Sequence, residues 1–143
     1  MTEKEKFLEL LSKAFETEYN DVFLYLREAD RFRKKIVAGD KLGAIFDKFS
    51  LMELHHSDRI AAKIIQSGGK AQWKFMPFEQ SNSLKDILQR HMEKEKQAIA
   101  LFNEILPLCR ERDADFKLII RGIIEEEAEH FARIEHIHKH LKG

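Results

Sequence analysis

The sequence predicts an all-α fold, an antiparallel four-helix bundle with one long crossover between its second and third helices. Along four segments, apolar residues recur at alternating spacings of four and three, the periodicity of a helix with one buried face. No segment shows the period of two that is typical of strands. Only two prolines and six glycines interrupt 143 residues, of which 35% are charged. Long amphipathic helices are therefore expected.

The predicted helices are separated by short breaks and one long one. They span residues 3–35, 41–66, 83–111 and 114–141. The short loop 37–41 makes the first two helices antiparallel neighbours. The connection 67–83 can cross the length of a bundle, which allows the second and third helices to run parallel.

Local signals refine these boundaries. Pro107 lies inside the third segment, where it should kink the helix or shorten it by about a turn. Ser83 followed by Asp86 is a helix start signal. The aromatic residues of the crossover predict that it packs against the bundle, with an exposed partner surface as the alternative; they are Trp73, Phe75 and Phe78.

Composition limits the class of protein. Lys and Arg total 25 and Asp and Glu total 25, so the net charge is zero and no nucleic acid or anionic membrane is expected as main partner. No apolar stretch approaches the roughly 20 residues of a membrane span. The lone Cys109 cannot form an internal disulfide, and the start of the chain lacks the apolar run of a signal peptide. We expect one cytoplasmic domain over residues 1–143.

Each of the four predicted buried faces is interrupted by acidic residues or histidines near the middle of its helix. Neighbouring acids, such as Glu93, Glu125 and Glu129, fall on the polar side at helical spacing. The interrupting residues are Glu18, Glu53 with His56, Glu95, and Glu127 with His130.

A buried cluster of this composition favours a metal site. A charged carboxylate removed from water and left unpaired costs several kcal/mol, on the order of 5, and crowded carboxylates repel one another. Two divalent cations would compensate four carboxylates. The Glu-x-x-His spacing of Glu53 with His56, and of Glu127 with His130, places an oxygen and a nitrogen one turn apart on one helix face. The pattern matches the dimetal template of helical bundles.

The alternative is a metal-free interaction module whose buried acids form ion pairs. Each motif alone is weak evidence for a metal site, because single buried glutamates and histidines are usually structural. Their joint occurrence on all four helices, in phase, favours the metal site. No Lys or Arg lies on the predicted buried faces near these acids.

Four stretches carry a resemblance to ferritin-like diiron-carboxylate proteins, most of all to the bacterioferritin and rubrerythrin branch: "ETEYNDVFLYL", "MELHHSDRIAAKII", "EKQAIALF" and "IIEEEAEHFARIE". The resemblance implies that Glu53 and Glu127 bridge two irons. It implies that Glu18 and His56 complete one iron site, and that Glu95 and His130 complete the other. Tyr25 would be a hydrogen-bond donor near the site or a local electron donor, with a plain core tyrosine equally expected.

Some positions depart from those families. Leu54 stands where bacterioferritin has its haem-binding methionine, so no haem is expected. Met92 and Ala98 flank Glu95 without the second helix-three glutamate of rubrerythrin, and no cysteines exist for a rubredoxin-type domain. The end at Gly143, without a fifth helix, argues against a ferritin cage.

The resemblance implies oxidation of Fe(II), or reduction of O2 or peroxide, with an unknown electron donor. Carboxylates and imidazoles suit iron or manganese equally. The alternatives are a non-catalytic iron-binding protein and a dimanganese relative. A homodimer is expected from the wide apolar face of the first helix, formed by Tyr19, Phe23 and Leu26.

Further polar residues lie on the same helices outside the six predicted ligands. By resemblance, Glu126 would accept a hydrogen bond from the second ring nitrogen of His56. His91 is interpreted as an extra ligand, a group on the route of iron, or a structural histidine. The remaining histidines of the fourth helix are assigned to the surface; they are His136, His138 and His140.

Overall fold

The protein is described by a computed structural model that covers residues 1–36, 39–78, 81 and 83–141. It contains four helices: α1 (Glu3–Lys35), α2 (Gly39–Gln66), α3 (Leu84–Ile105) and α4 (Ala114–Lys139). No strand occurs in these ranges, which confirms the all-α class. Residues 39–41 of the predicted loop 37–41 belong to α2, and residues 37 and 38 lie outside the described part. The chain divides into two compact units, residues 11–78 and residues 1–10 with 79–143.

Proline determines where α3 ends. The helix stops at Ile105 and is followed by a 3-10 turn, Leu106–Leu108, with Pro107 inside it. Proline has no amide hydrogen, and its ring clashes with the carbonyl four residues earlier. The predicted shortening of the 83–111 segment is thereby confirmed.

The helix ends beside the crossover carry standard capping interactions. At the start of α3, the Asp86 amide donates a hydrogen bond to Ser83 Oγ at 3.3 Å, as the start signal predicted. At the end of α2, Gly68 adopts φ of +88° and the Gly69 amide donates to the Ile64 carbonyl at 2.9 Å. This is the Schellman arrangement, in which glycine takes the left-handed conformation.

The start of α2 was predicted two residues too late, because the sequence does not reveal a close backbone contact. Gly39 begins the helix, and its amide donates to the Ile36 carbonyl at 3.0 Å. A Cβ atom at this position would collide with the Phe32 carbonyl. Only glycine permits the backbone to approach this closely.

Within residues 11–78, α1 and α2 pack as antiparallel neighbours. Ser50 Oγ donates a hydrogen bond to the Val22 carbonyl at 2.7 Å. The fully buried Tyr25 ring contacts Phe46 and Phe49 edge-on, with centroids 5.3 and 5.6 Å apart. Aromatic burial of this kind is a large source of stability, and it holds α1 and α2 together at the level of Tyr25.

The crossover packs against α1 through its tryptophan. The Trp73 ring lies 5.0 Å from that of Tyr19 and 5.2 Å from that of Phe23, measured between centroids. The Met76 amide donates to Asn20 Oδ1 at 3.3 Å. Residues 79, 80 and 82 of the crossover lie outside the described part.

The contact between Trp73 and Tyr19 covers part of the apolar face from which a homodimer was predicted. Tyr19 is covered by Trp73 of the same chain, so its apolar ring does not call for a second subunit. Phe23 and Leu26 remain 36% and 46% exposed. The homodimer stays a prediction that rests on these two residues.

In the other unit, α3 packs along α4, and the first turns of α1 join them. The ring of Phe7 contacts that of Phe116 edge-on, with centroids 6.3 Å apart. Glu3 forms an ion pair with Arg110. The buried apolar residues recur on the face that the sequence predicted, including Leu88, Phe102, Ile105, Ile120, Ile123 and Ile134. None of the helices in the described ranges has the length and apolar character needed to cross a membrane.

Candidate metal centre

The unit of residues 11–78 contains a cluster that we call the α1–α2 triad: Glu18, Glu53 and His56. Each side chain is at most 3% exposed. One ligand atom from each residue lies within 4.8 Å of those of the other two. His56 Nδ1 is 3.8 Å from Glu18 Oε1 and 3.8 Å from Glu53 Oε1. The predicted face of α1 and the Glu-x-x-His face of α2 therefore meet.

The other unit contains an equivalent cluster, the α3–α4 triad: Glu95, Glu127 and His130. All three side chains are at most 3% exposed, and their ligand atoms lie within 4.8 Å of one another. His130 Nδ1 lies 3.9 Å from Glu95 Oε1. Each triad thus combines one glutamate from the first helix of its pair with Glu-x-x-His from the second.

The structure buries the acids that the periodicity selected and leaves their neighbours in solvent. On α3, Glu95 is buried and Glu93 is exposed. On α4, Glu127 is buried, whereas Glu125 and Glu129 are exposed. A shift of two residues turns a helical side chain by about 200°, so these contrasts follow from helical phase.

Glu18 provides the clearest test of whether the α1–α2 triad suits a cation. Both of its carboxylate oxygens are inaccessible to solvent, and neither has a hydrogen-bond partner among the described residues. The imidazole of His56 is close by, with its Nδ1 3.8 Å from Glu18 Oε1. A buried carboxylate without hydrogen bonds costs several kcal/mol, on the order of 2 to 5. A bound cation is the simplest compensation, so the residues fit a metal.

The distances between ligand atoms also fit. A separation of 3.8 or 3.9 Å between imidazole nitrogen and carboxylate oxygen is too long for a hydrogen bond. Nitrogen and oxygen ligands lie about 2.1 Å from a small divalent ion, so two ligands of one ion are at most about 4.2 Å apart. Each pair is therefore spaced as two ligands of a shared ion would be.

His91 does not belong to either triad. It is 2% exposed, one turn before Glu95 on α3, but no group of potential metal ligands found among the described residues includes it. Burial, together with the smaller effect of the nearby positive charge of Lys94, lowers the pKa of His91 to about 3. His91 is therefore a neutral imidazole at physiological pH, and its predicted role as an extra ligand receives no support.

The pKa of His91 predicts how stability depends on pH. Its pKa is lower in the folded than in the unfolded protein, so the unfolded chain binds more protons between about pH 3 and pH 6.5, and stability falls as pH drops through this window. In metal-free protein, this difference in the pKa of His91 should lower the free energy of unfolding by roughly 2 kcal/mol when the pH falls from 7 to 5. His91→Gln should lose this component, measured by urea unfolding at both pH values. Equal pH dependence in the two proteins would contradict a neutral buried His91.

The sequence pattern did not predict the burial of several polar residues. Asp21 and Glu28 on α1 are each 4% exposed, although neither was selected. They lie seven residues apart, and Ala14, seven residues before Asp21, is buried as well. The three residues therefore share one face of α1, beside the face that carries Glu18. That spacing could have revealed them. Lys63 on α2 is also buried, and its Nζ donates to Gln66 Oε1 at 3.2 Å.

The remaining predicted positions are less informative about function. Tyr25 is fully buried against Phe46 and Phe49, and its role as hydrogen-bond or electron donor stays a prediction. Glu126 is half-buried, and its pairing with His56 also stays a prediction. His136 and His140 are exposed with ring centroids 4.3 Å apart, and His138 is half-buried.

Together, the helices and the two triads define a class of helical protein with buried carboxylate and imidazole ligands. The chain matches the family model described as "Ferritin-like domain" over residues 8–143. The protein therefore belongs to the ferritin-like family, as its resemblance indicated.

Solved structures show the same fold. A ferritin-like, diiron-carboxylate protein from Bacillus anthracis superposes with a TM-score of 0.88 at 16% identity, covering 96% of this chain and 98% of its own. A Desulfovibrio desulfuricans bacterioferritin, described with a diiron site, gives 0.84 at 23% identity, covering 96% and 81%. A Chlorobium tepidum ferritin gives 0.77 at 17%, covering 97% and 85%. The predicted four-helix bundle class is thereby confirmed. No curated protein sequence matches this chain.

Proposed function

We propose that the protein is a dinuclear iron protein that oxidises Fe(II), reduces O2 or peroxide, or does both. The observation that carries the proposal is the α1–α2 triad, in which both Glu18 oxygens are buried without hydrogen bonds and His56 Nδ1 stands 3.8 Å away. The α3–α4 triad repeats the same residue types and nearly the same spacing. Membership of the ferritin-like family supports iron as the metal.

In the proposal, residues 1–143 form one domain and the two triads contribute to one centre. Glu53 and Glu127 would bridge two irons, as the resemblance implies. Glu18 with His56 would complete one site, and Glu95 with His130 the other. Four carboxylates would then balance the four positive charges of two ferrous ions, which explains why this many acids are tolerated in apolar surroundings.

Each side chain has a distinct task in this arrangement. Bound iron supplies reversible one-electron chemistry, with a pair of ferrous ions holding two electrons. The carboxylates would bind the metal through oxygen, and each imidazole would bind it through Nδ1, the nitrogen that lies 3.8 or 3.9 Å from a glutamate oxygen. The apolar neighbours Phe49 and Ile60 on α2, 5% and 0% exposed, exclude bulk water and strengthen the electrostatic interactions.

An anaerobic titration tests the proposal directly. The metal-free protein receives Fe(II), excess metal is removed, and iron is counted per chain. A limited pulse of O2 or peroxide follows, and the remaining ferrous iron is measured with a ferrous-specific chelator. We expect two irons per chain and their oxidation after the pulse. A parallel titration with Mn(II) distinguishes a dimanganese relative.

Other results would lead to a different function. Binding of iron without oxidation would identify an iron-binding or iron-delivery protein. Absence of binding for both metals would leave the metal-free interaction module and overturn the proposal.

A further inference from the structure

We propose that Trp73 and Tyr19 form an electron-donating pair that connects the α1–α2 triad to the protein surface. The inference rests on the proposed function and deepens it, because it identifies a donor of the second electron when only one ferrous ion is bound, and the place where an external reductant acts. All the residues involved lie within residues 11–78.

A chain of aromatic contacts starts beside the triad. Phe15 is buried on the face of α1 that carries Glu18, one turn away from it. The Phe15 ring stacks on that of Tyr19, with centroids 5.4 Å apart and an interplanar angle of 13°. Tyr19 also follows Glu18 directly in the chain. The tyrosine is thus bonded to Glu18 along the chain and in ring contact with Phe15, which lies one turn from Glu18.

The same chain continues outward. The Tyr19 ring meets Trp73 edge-on at 5.0 Å between centroids, and Trp73 meets Phe75 at 6.2 Å. Phe75 is 52% exposed. A path of neighbouring rings therefore runs from Phe15, one helical turn from Glu18, to the exposed Phe75.

The residue types on this path suit electron donation. Tyrosine and tryptophan are the aromatic side chains that lose one electron most readily, and phenylalanine does not donate under these conditions. The chain has a single tryptophan and two tyrosines. One of those tyrosines and the tryptophan are in direct contact, whereas Tyr25 packs among phenylalanines, Phe46 and Phe49.

The indole of Trp73 is also held in an unusual setting. Its Nε1 is inaccessible to solvent and has no hydrogen-bond partner among the described residues. With no acceptor for its proton within the described ranges, an oxidised indole in this position would remain a radical cation. Such a species is rapidly reversible, since only an electron must be returned.

The electron balance is straightforward. Reduction of one hydrogen peroxide molecule to two waters takes two electrons and two protons. When a single ferrous ion is bound at the α1–α2 triad, one electron is taken from that substrate ion and the second comes from Trp73 by way of Tyr19. Both protons come from solvent. A one-electron reductant of the ascorbate class then restores Trp73 at the exposed edge near Phe75.

The experiment uses full-length protein in a Cys109→Ser background, so that the thiol cannot donate. Protein loaded anaerobically with one Fe(II) per chain is mixed with one equivalent of peroxide, frozen, and studied by electron paramagnetic resonance with ring-deuterated tryptophan or tyrosine. We expect a tryptophan radical in the wild-type aromatic background. Trp73→Phe should lose it, and Tyr19→Phe should lose most of it, while both variants retain iron binding.

A second readout is chemical. Repeated peroxide additions without reductant should add oxygen to Trp73, detected by peptide mass spectrometry, and ascorbate should prevent this addition. Tyr25→Phe is the comparison variant. A tyrosine radical that disappears in Tyr25→Phe and persists in Tyr19→Phe would overturn the inference, as would complete iron oxidation without an aromatic radical. If the wild type binds no iron, the proposed function itself fails, and this inference fails with it.

Discussion

Replacing Glu127 with alanine is expected to abolish binding of both irons. Glu127 is 1% exposed in the α3–α4 triad, and its proposed role is to bridge the two ions, so its loss affects both sites together. Anaerobic loading followed by desalting and metal analysis should find two irons per chain in the wild type and almost none in the variant. Glu93→Ala on α3, whose side chain is exposed, should retain both.

The stability of the variant provides an independent measurement. A ligand that binds only the folded state at a concentration of 100 times its Kd stabilises it by about 2.7 kcal/mol. Fe(II) should therefore raise the melting temperature of the wild type and of Glu93→Ala, but not that of Glu127→Ala. Without metal, Glu127→Ala should remain helical by circular dichroism, since a buried charge has been removed. Equal loss of iron in both variants would show that the helical phase has been assigned wrongly.

Phe46→Ala should produce a large loss of stability at a position outside the metal centre. The Phe46 side chain is fully buried, and its ring contacts those of Tyr25 and Phe32, with centroids 5.3 and 4.9 Å away. Truncation of a buried phenylalanine costs about 3 to 5 kcal/mol, because apolar burial is lost and a cavity remains. Urea unfolding of metal-free protein, followed by circular dichroism, should show a lower midpoint with an unchanged slope.

Phe75→Ala is the matched control for this substitution. Phe75 is 52% exposed, so the same truncation should cost less than about 1 kcal/mol. A comparable loss in the two variants would mean that Phe46 is not part of a closely packed core.

Much of the fold was predictable because the side of a helix on which a residue lies follows from its position in the sequence. The contrast between Glu95 and Glu93 depends only on which neighbours lie three and four positions away, and the structure buries the first and exposes the second. The same reasoning selected Glu127 and His130. It also identified Ser83 as a helix cap and Pro107 as the cause of an early helix end.

Other features depend on contacts between residues far apart in the chain, which periodicity does not contain. Gly39 begins α2 because its backbone lies against the Phe32 carbonyl, and no local signal announces that contact. The partner of Trp73 is Tyr19, more than 50 residues earlier, and a pattern of spacing cannot identify it. Whether the proposed ligands would select iron or manganese depends on details that residue types do not specify.

The position of the lone tryptophan has a practical consequence for studies of folding. Trp73 lies on the crossover, so intrinsic fluorescence monitors detachment of this segment from α1, whereas far-ultraviolet circular dichroism follows the helices. Segments with few buried contacts often open before global unfolding. If fluorescence and circular dichroism give different unfolding midpoints, the difference would report detachment of the crossover from α1. It would not by itself imply a partly folded helical intermediate.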